Sequence, residues 1–244
     1  MAFYTVGRFQ PPTLGHVRMI DAMLELAKGA PAFVFISSAK DSLIPSVMKK
    51  AYLEKMLTRK GDFPENLHLI DTAECESPCG GPLGGWAYLK EKGMVGPSVV
   101  LVVGSDQKPK FDPKTARMWE TVEEGERPSI ESVERGGTGA SSYSSTKARR
   151  AIGRVGWEGL KRFLMDGSNV ITEKDVEEMA KELVKKKSKW PKDPDPEGPI
   201  EGGGEEDTVL GEVDGGRRRR RKTLRRKRIH TRKRSTRQNG SHHL

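Results

Sequence analysis

The sequence predicts an open, doubly wound α/β sheet of parallel strands, followed by further helices and then a tail with no core of its own. Three observations predict it. Short apolar runs recur through the first hundred residues, amphipathic helical patterns lie between them, and the composition changes abruptly at Pro191.

The first run, Ala2 to Val6, ends at Gly7, and the second is Ala32 to Ile36 (AFVFI). Leu67 to Ile70 is the third, and Val99 to Val103 (VVLVV) is the most β-branched. Continuous apolar runs of this length suit strands covered on both faces, as those of parallel sheets are. Between them, Val17, Ile20, Leu24 and Ala27 recur at helical spacing, as do Val47, Ala51, Leu53, Met56 and Leu57. Alternating strands and helices imply βαβ units with right-handed crossovers. Beyond VVLVV the sequence predicts a short helix around Thr115 to Glu120 and a weaker strand near Ser129 to Val133. A Gly/Ser/Thr-rich loop follows from Gly136 to Ser145. Thr172 with Asp175 three residues on resembles a capping box, and Val176, Met179, Ala180, Leu183 and Val184 share one face of the helix it starts. That helix ends at Lys185–Lys187. Gly80, Gly81, Gly84 and Gly85 read as a flexible loop, because no strong strand precedes them and no Gly-Lys-Ser/Thr ending follows. Trp86 and Trp119 read as packing residues.

Charge divides the chain into three parts. Of 244 residues, 44 are Lys or Arg and 34 are Asp or Glu, a net of +10. Residues 217–244 hold 14 of the bases and no acid, and residues 191–216 hold nine acids, four prolines and one base, Lys192. The remaining 1–190 carry 29 bases and 25 acids, a net of only +4. The expected organisation is therefore an α/β domain over 1–190, an acidic Pro/Gly-rich linker over 191–216 and a basic disordered tail over 217–244. No apolar run approaches the roughly 20 residues of a membrane helix, and no signal core follows the N-terminus. The expectation is a cytoplasmic protein, or a nuclear one through its basic tail, that is neither secreted nor membrane-bound. Cys75 and Cys79, with His68 nearby, read as free thiols in a loop, since a structural zinc site needs four ligands from regularly spaced pairs. No protein-held metal is expected.

The most informative segment is Gly7-Arg8-Phe9-Gln10-Pro11-Pro12-Thr13-Leu14-Gly15-His16, between the first strand and the first helix. In an open α/β sheet ligands bind at this edge, where a new helix offers unpaired N–H groups and a positive dipole end to phosphate. His16 then projects from the first helical turn, able to follow charge building on a phosphoryl oxygen. The segment resembles the HxGH signature of the nucleotidyltransferase superfamily, which includes nicotinamide mononucleotide adenylyltransferases, phosphopantetheine adenylyltransferases and cytidylyltransferases. Thr13 stands in the first His position, as in the branches that carry TxGH.

Two further segments extend the resemblance. Tyr143-Ser144-Ser145-Thr146-Lys147-Ala148-Arg149 is similar to the second signature, ISSTxxR, and its hydroxyls suit either a helix cap or phosphate oxygens. Gly104-Ser105-Asp106, closing the VVLVV strand, resembles the GxD element of these proteins. With Phe111 it approaches the GSDR…F pattern of phage and large-DNA-virus relatives, Gln107 replacing the Arg. Asp106 suits nucleotide binding or a helix cap equally.

Over residues 3 to 165 the resemblance implies a Rossmann-like nucleotidyltransferase. It would transfer a nucleoside monophosphate from a nucleoside triphosphate, ATP or CTP in type, to a phosphorylated small molecule, with release of pyrophosphate. The implied catalytic residues are His16, Thr13, Lys147 and Arg149. Gly7, Arg8, Phe9, Gly15, Gly104, Asp106, Ser144, Ser145 and Thr146 are the implied phosphate- and nucleotide-binding residues. Mg²⁺ would be held through the triphosphate oxygens. The rival reading is an inactive domain of this kind in a nucleic-acid-binding protein that works through its basic tail.

Overall fold

In the computed structural model the apolar runs become β1 (Ala2–Gly7), β2 (Ala32–Ile36), β3 (Leu67–Asp71) and β4 (Val99–Gly104), and Ser129–Val133 is β5. The structure describes residues 1–189 apart from 40–41, 59–60, 106, 113–115, 134–142, 166 and 169. These residues belong to one compact unit, Met1–Asp193. Asp106, most of the Gly136–Ser145 loop, the acidic linker and the basic tail lie outside the described residues.

The strands form one parallel sheet in the order β3-β2-β1-β4-β5. Alternation along each strand explains why the runs are continuously apolar. Phe3, Val34, Ile36, Val100 and Val102 enter one core, while Tyr4, Phe33, Phe35, Leu101 and Val103 enter the other. The first core is covered by α1 (Leu14–Ala27), α2 (Ser46–Leu57) and, further on, α5 (Ser145–Val155), α6 (Glu158–Leu164) and α7 (Glu173–Lys185). The second is covered by α3 (Gly81–Glu91) together with Trp119 and Val122. The short α4 (Lys108–Phe111) follows β4. Among the described residues no helix is long and apolar enough to cross a membrane.

Both tryptophans are packing residues: Trp86 Nε1 donates to the Glu126 carbonyl at 3.0 Å and Trp119 Nε1 to the Phe111 carbonyl at 2.9 Å. The Thr172–Asp175 capping box forms and starts α7.

Five expectations need correction. Val184 is exposed, while Val176, Met179, Ala180 and Leu183 form the buried stripe of α7. The glycines of 80–85 open α3 instead of forming a loop. A Cβ on Gly85 would meet the rings of Tyr4 and Phe35 at 3.0 and 3.1 Å, so a bare backbone there lets the helix lie on the sheet. Cys75 and Cys79 are joined in a disulfide across the β3–α3 connection, which brings their Cα atoms to 6.1 Å, within the span of such a bond. Val47 and Ala51 of α2 are exposed, because its inward stripe is Lys49, Tyr52, Leu53 and Met56. Of the helix expected around Thr115 to Glu120, a 3-10 turn at Arg117–Trp119 is formed.

Candidate active site

Strand order reverses between β1 and β4, since from β1 the chain runs outward through β2 and β3 before β4 pairs on the other side. Such a switch point leaves a crevice outside the carboxyl ends of the two strands. Gly7 and Gly104 end those strands there.

The turn after β1 is fixed by close contact. A Cβ on Gly7 would sit 2.7 Å from two atoms of the Phe9 ring. Phe9, almost wholly buried, takes a left-handed φ of 47°, and its ring packs on His16 with centroids 4.9 Å apart. The Gln10–Pro11 bond is cis. Gly15 brings the backbone of Tyr143 against the first turn of α1, where a Cβ would meet the Tyr143 carbonyl at 3.2 Å.

Thr13 is the N-cap of α1, and His16 fills the N3 role of a capping box that Glu or Gln usually takes. The backbone N–H of Thr13 donates to His16 Nδ1 at 3.0 Å. A backbone N–H cannot rotate away, so Nδ1 accepts and the neutral ring carries its proton on Nε2. The Thr13 hydroxyl donates to the Tyr143 carbonyl at 2.6 Å, and its oxygen lies 2.8 Å from Nδ1. Nε2 is therefore the N–H donor of the neutral ring, and a donor is what a phosphoryl oxygen requires.

The second segment meets this turn from 130 residues away. Besides the Thr13–Tyr143 bond, Ser145 Oγ donates to the Pro11 carbonyl at 2.8 Å, and Arg149 Nη1 donates to the Gln10 carbonyl. Ser144 caps α5 by accepting the Lys147 N–H at 3.2 Å. Thr146 Oγ1 accepts from Arg149 Nη2 at 3.3 Å. Buried Arg149 thus grips protein, whereas the part-exposed Lys147 ammonium makes no hydrogen bond or ion pair among the described residues. The Arg8 side chain is exposed. Gly104 accepts the Gln107 N–H at 2.8 Å. Asp106 is outside the described residues, so the structure assigns it no place.

A family model described as cytidylyltransferase-like matches residues 4–151. The chain belongs to that family. A search among curated proteins found no match. The matched span of the cytidylyltransferase-like domain runs from β1 into α5 and so contains both turns, while α6 and α7 follow it. Membership supports nucleotidyltransferase activity in general.

Sequence reading overlooked two residues of this region, Lys49 and Ser42. Lys49 is fully buried, and its Nζ donates to the Arg8 carbonyl at 3.1 Å, to Ser42 Oγ at 2.9 Å and to the Ser37 carbonyl. Ser42 also receives Gln10 Nε2 at 3.0 Å. Position 49 lies on the 49-52-53-56 stripe, a signal that was legible had a lysine been admitted to a core-facing row.

Proposed function

We propose that this domain transfers a nucleoside monophosphate, adenylyl or cytidylyl, from a nucleoside triphosphate to a phosphorylated small molecule. The observation that carries the reading is the set of three hydrogen bonds joining residues 10–13 to residues 143–149. They bring the N-termini of α1 and α5 together beside a strand switch point, so two dipole ends and their side chains converge on one crevice.

In the proposed reaction an acceptor phosphate oxygen forms a bond to the α-phosphorus. The bond from that phosphorus to the β-bridging oxygen breaks, and pyrophosphate leaves with its charge. Positioning and charge neutralisation suffice, so no covalent nucleophile is called for. His16 Nε2–H faces the developing charge, and Lys147 and Arg8 supply cations. Thr13 sets the ring of His16, and Ser145 and Arg149 hold the turn in place. The donors here are N–H groups, hydroxyls and cations, which suit an anion that brings its own Mg²⁺ better than they suit a bare metal ion.

The test is pyrophosphate release from each of the four nucleoside triphosphates with a panel of phosphorylated acceptors. His16→Ala is expected to lower turnover roughly a hundredfold or more, the cost of losing one preorganised donor. No turnover by the wild type with any pair, alongside tail-dependent nucleic-acid binding, would favour the rival reading of an inactive domain.

A further inference from the structure

An ammonium taken wholly out of water is costly unless oxygens replace its hydration. Lys49 has no exposed surface, yet a neighbour on the same face of α2 is Leu53, and an apolar side chain would complete that stripe more simply. Its Nζ has three N–H groups, and three oxygens among the described residues accept from it: the carbonyls of Arg8 and Ser37 and the hydroxyl of Ser42. Arg8 follows β1 and Ser37 follows β2, so one side chain ties two neighbouring strand ends together at the edge where the crevice lies.

We propose that Lys49 is a positioning residue for the phosphate-binding turn, setting the orientation of the Arg8–Phe9 peptide; this rests on the nucleotidyltransferase reading above. The Arg8–Phe9 bond is trans, and in a trans peptide the carbonyl and the N–H point in opposite directions. Drawing the Arg8 carbonyl inward to Nζ turns the Phe9 N–H away from Lys49. No acceptor among the described residues takes that N–H. A buried backbone N–H without a partner is rare, and an anionic oxygen is a fitting one.

The anchors on either side explain how the turn persists. A left-handed φ at a bulky residue such as Phe9 survives only where the surroundings over-determine it. On one side Lys49 fixes the Arg8 carbonyl. On the other, Ser42 Oγ holds the Gln10 side chain and Arg149 holds the Gln10 carbonyl. The Ser42 hydroxyl is the meeting point, accepting from Lys49 and Gln10 while donating to the Ile44 carbonyl at 2.8 Å.

The experiment uses the full chain with Lys49→Met, Lys49→Arg and Ser42→Ala, with folding checked by thermal unfolding. The probes are inorganic pyrophosphate and the four Mg²⁺-nucleoside triphosphates, titrated by calorimetry, with the Phe9 amide followed by NMR. In Lys49→Met, pyrophosphate affinity should fall about tenfold or more, the scale of one lost hydrogen bond to a charged group. Its Phe9 amide should no longer shift with pyrophosphate. Lys49→Arg should restore part of both, a rescue that core packing alone does not predict. A folded Lys49→Met that binds pyrophosphate as the wild type does overturns the proposal. Should Lys49→Met not fold, Ser42→Ala decides: weaker binding with a diminished Phe9 shift supports the role, and unchanged binding overturns it. If the wild type binds neither probe, the nucleotidyltransferase reading fails and this proposal with it. If the wild type binds and Lys49→Met binds equally, only the role of Lys49 fails.

Discussion

Gly7 has no room for a methyl group, because the Phe9 ring occupies the space and that ring in turn supports His16. Gly7→Ala should therefore move Phe9 and His16 together. The expected cost is about 1–3 kcal/mol in denaturant unfolding, typical of overpacking, with a fall in turnover larger than the stability loss explains. Thr13→Val keeps the shape of a fully buried side chain but leaves the Tyr143 carbonyl and His16 without the hydroxyl. Unfolding should show a loss of about 1–3 kcal/mol for the unpaired carbonyl. A Thr13→Val protein as stable as the wild type would mean that this hydroxyl does not clamp the two segments. At this scale much was legible. Gly7, Phe9, Thr13, Gly15 and His16 sit within ten residues at one strand–helix junction, and the signature that this segment resembles points to them. The partner of Arg149 was not legible, because a backbone carbonyl 139 residues away carries no side-chain signature.

Helices and strands differed in how openly they could be read. Strands β1, β2 and β4 carry apolar residues on both faces and so announce themselves wherever they lie, whereas β5, half-buried at the sheet edge, gives a weaker signal. On α2 the hydrophobic residues misled: Val47 and Ala51 face outward, while Lys49 is drawn inward by three oxygens from two loops, a tertiary effect that no local pattern encodes. On α3 the glycines looked like a loop because their reason, the rings of Tyr4 and Phe35, belongs to other elements. The capping box of α7 was legible, and it has a consequence for acid stability. Burial disfavours the ionised Asp175 carboxylate, but Lys55 Nζ at 2.6 Å and the Thr172 N–H and hydroxyl at 2.9 and 2.8 Å outweigh it. Its pKa is thereby held below the ordinary value. A group with a lowered native pKa stabilises the fold above its unfolded pKa, near ~4, and loses that contribution as pH falls through the native value. Asp175→Asn should therefore be less stable than the wild type at pH 7, and the two unfolding curves should converge below about pH 4. A gap that stays constant down to pH 2 would show that the charge of Asp175 contributes nothing.

Across the whole chain, charge and chemistry are distributed unequally. Residues 1–190 contain both signature segments and the hydrogen bonds that join them, yet carry a net of only +4, while residues 217–244 carry 14 bases and no acid. If catalysis and polyanion binding reside in these separate parts, removing the second should leave the first intact. A chain ending at residue 190 is expected to unfold cooperatively and to release pyrophosphate at the rate of the full chain. In a mobility-shift assay the full chain should bind single- and double-stranded nucleic acid with little regard to sequence. That affinity should fall steeply as salt rises, because neutralising many phosphates releases many counterions. The shortened chain should not shift the nucleic acid at all. Retained binding by residues 1–190 would place the polyanion site in the α/β domain, where the exposed Arg8 and part-exposed Lys147 of the crevice become the first candidates. Loss of turnover in a shortened chain that still folds would instead mean that the tail takes part in presenting substrate, and the two functions could no longer be assigned to separate segments.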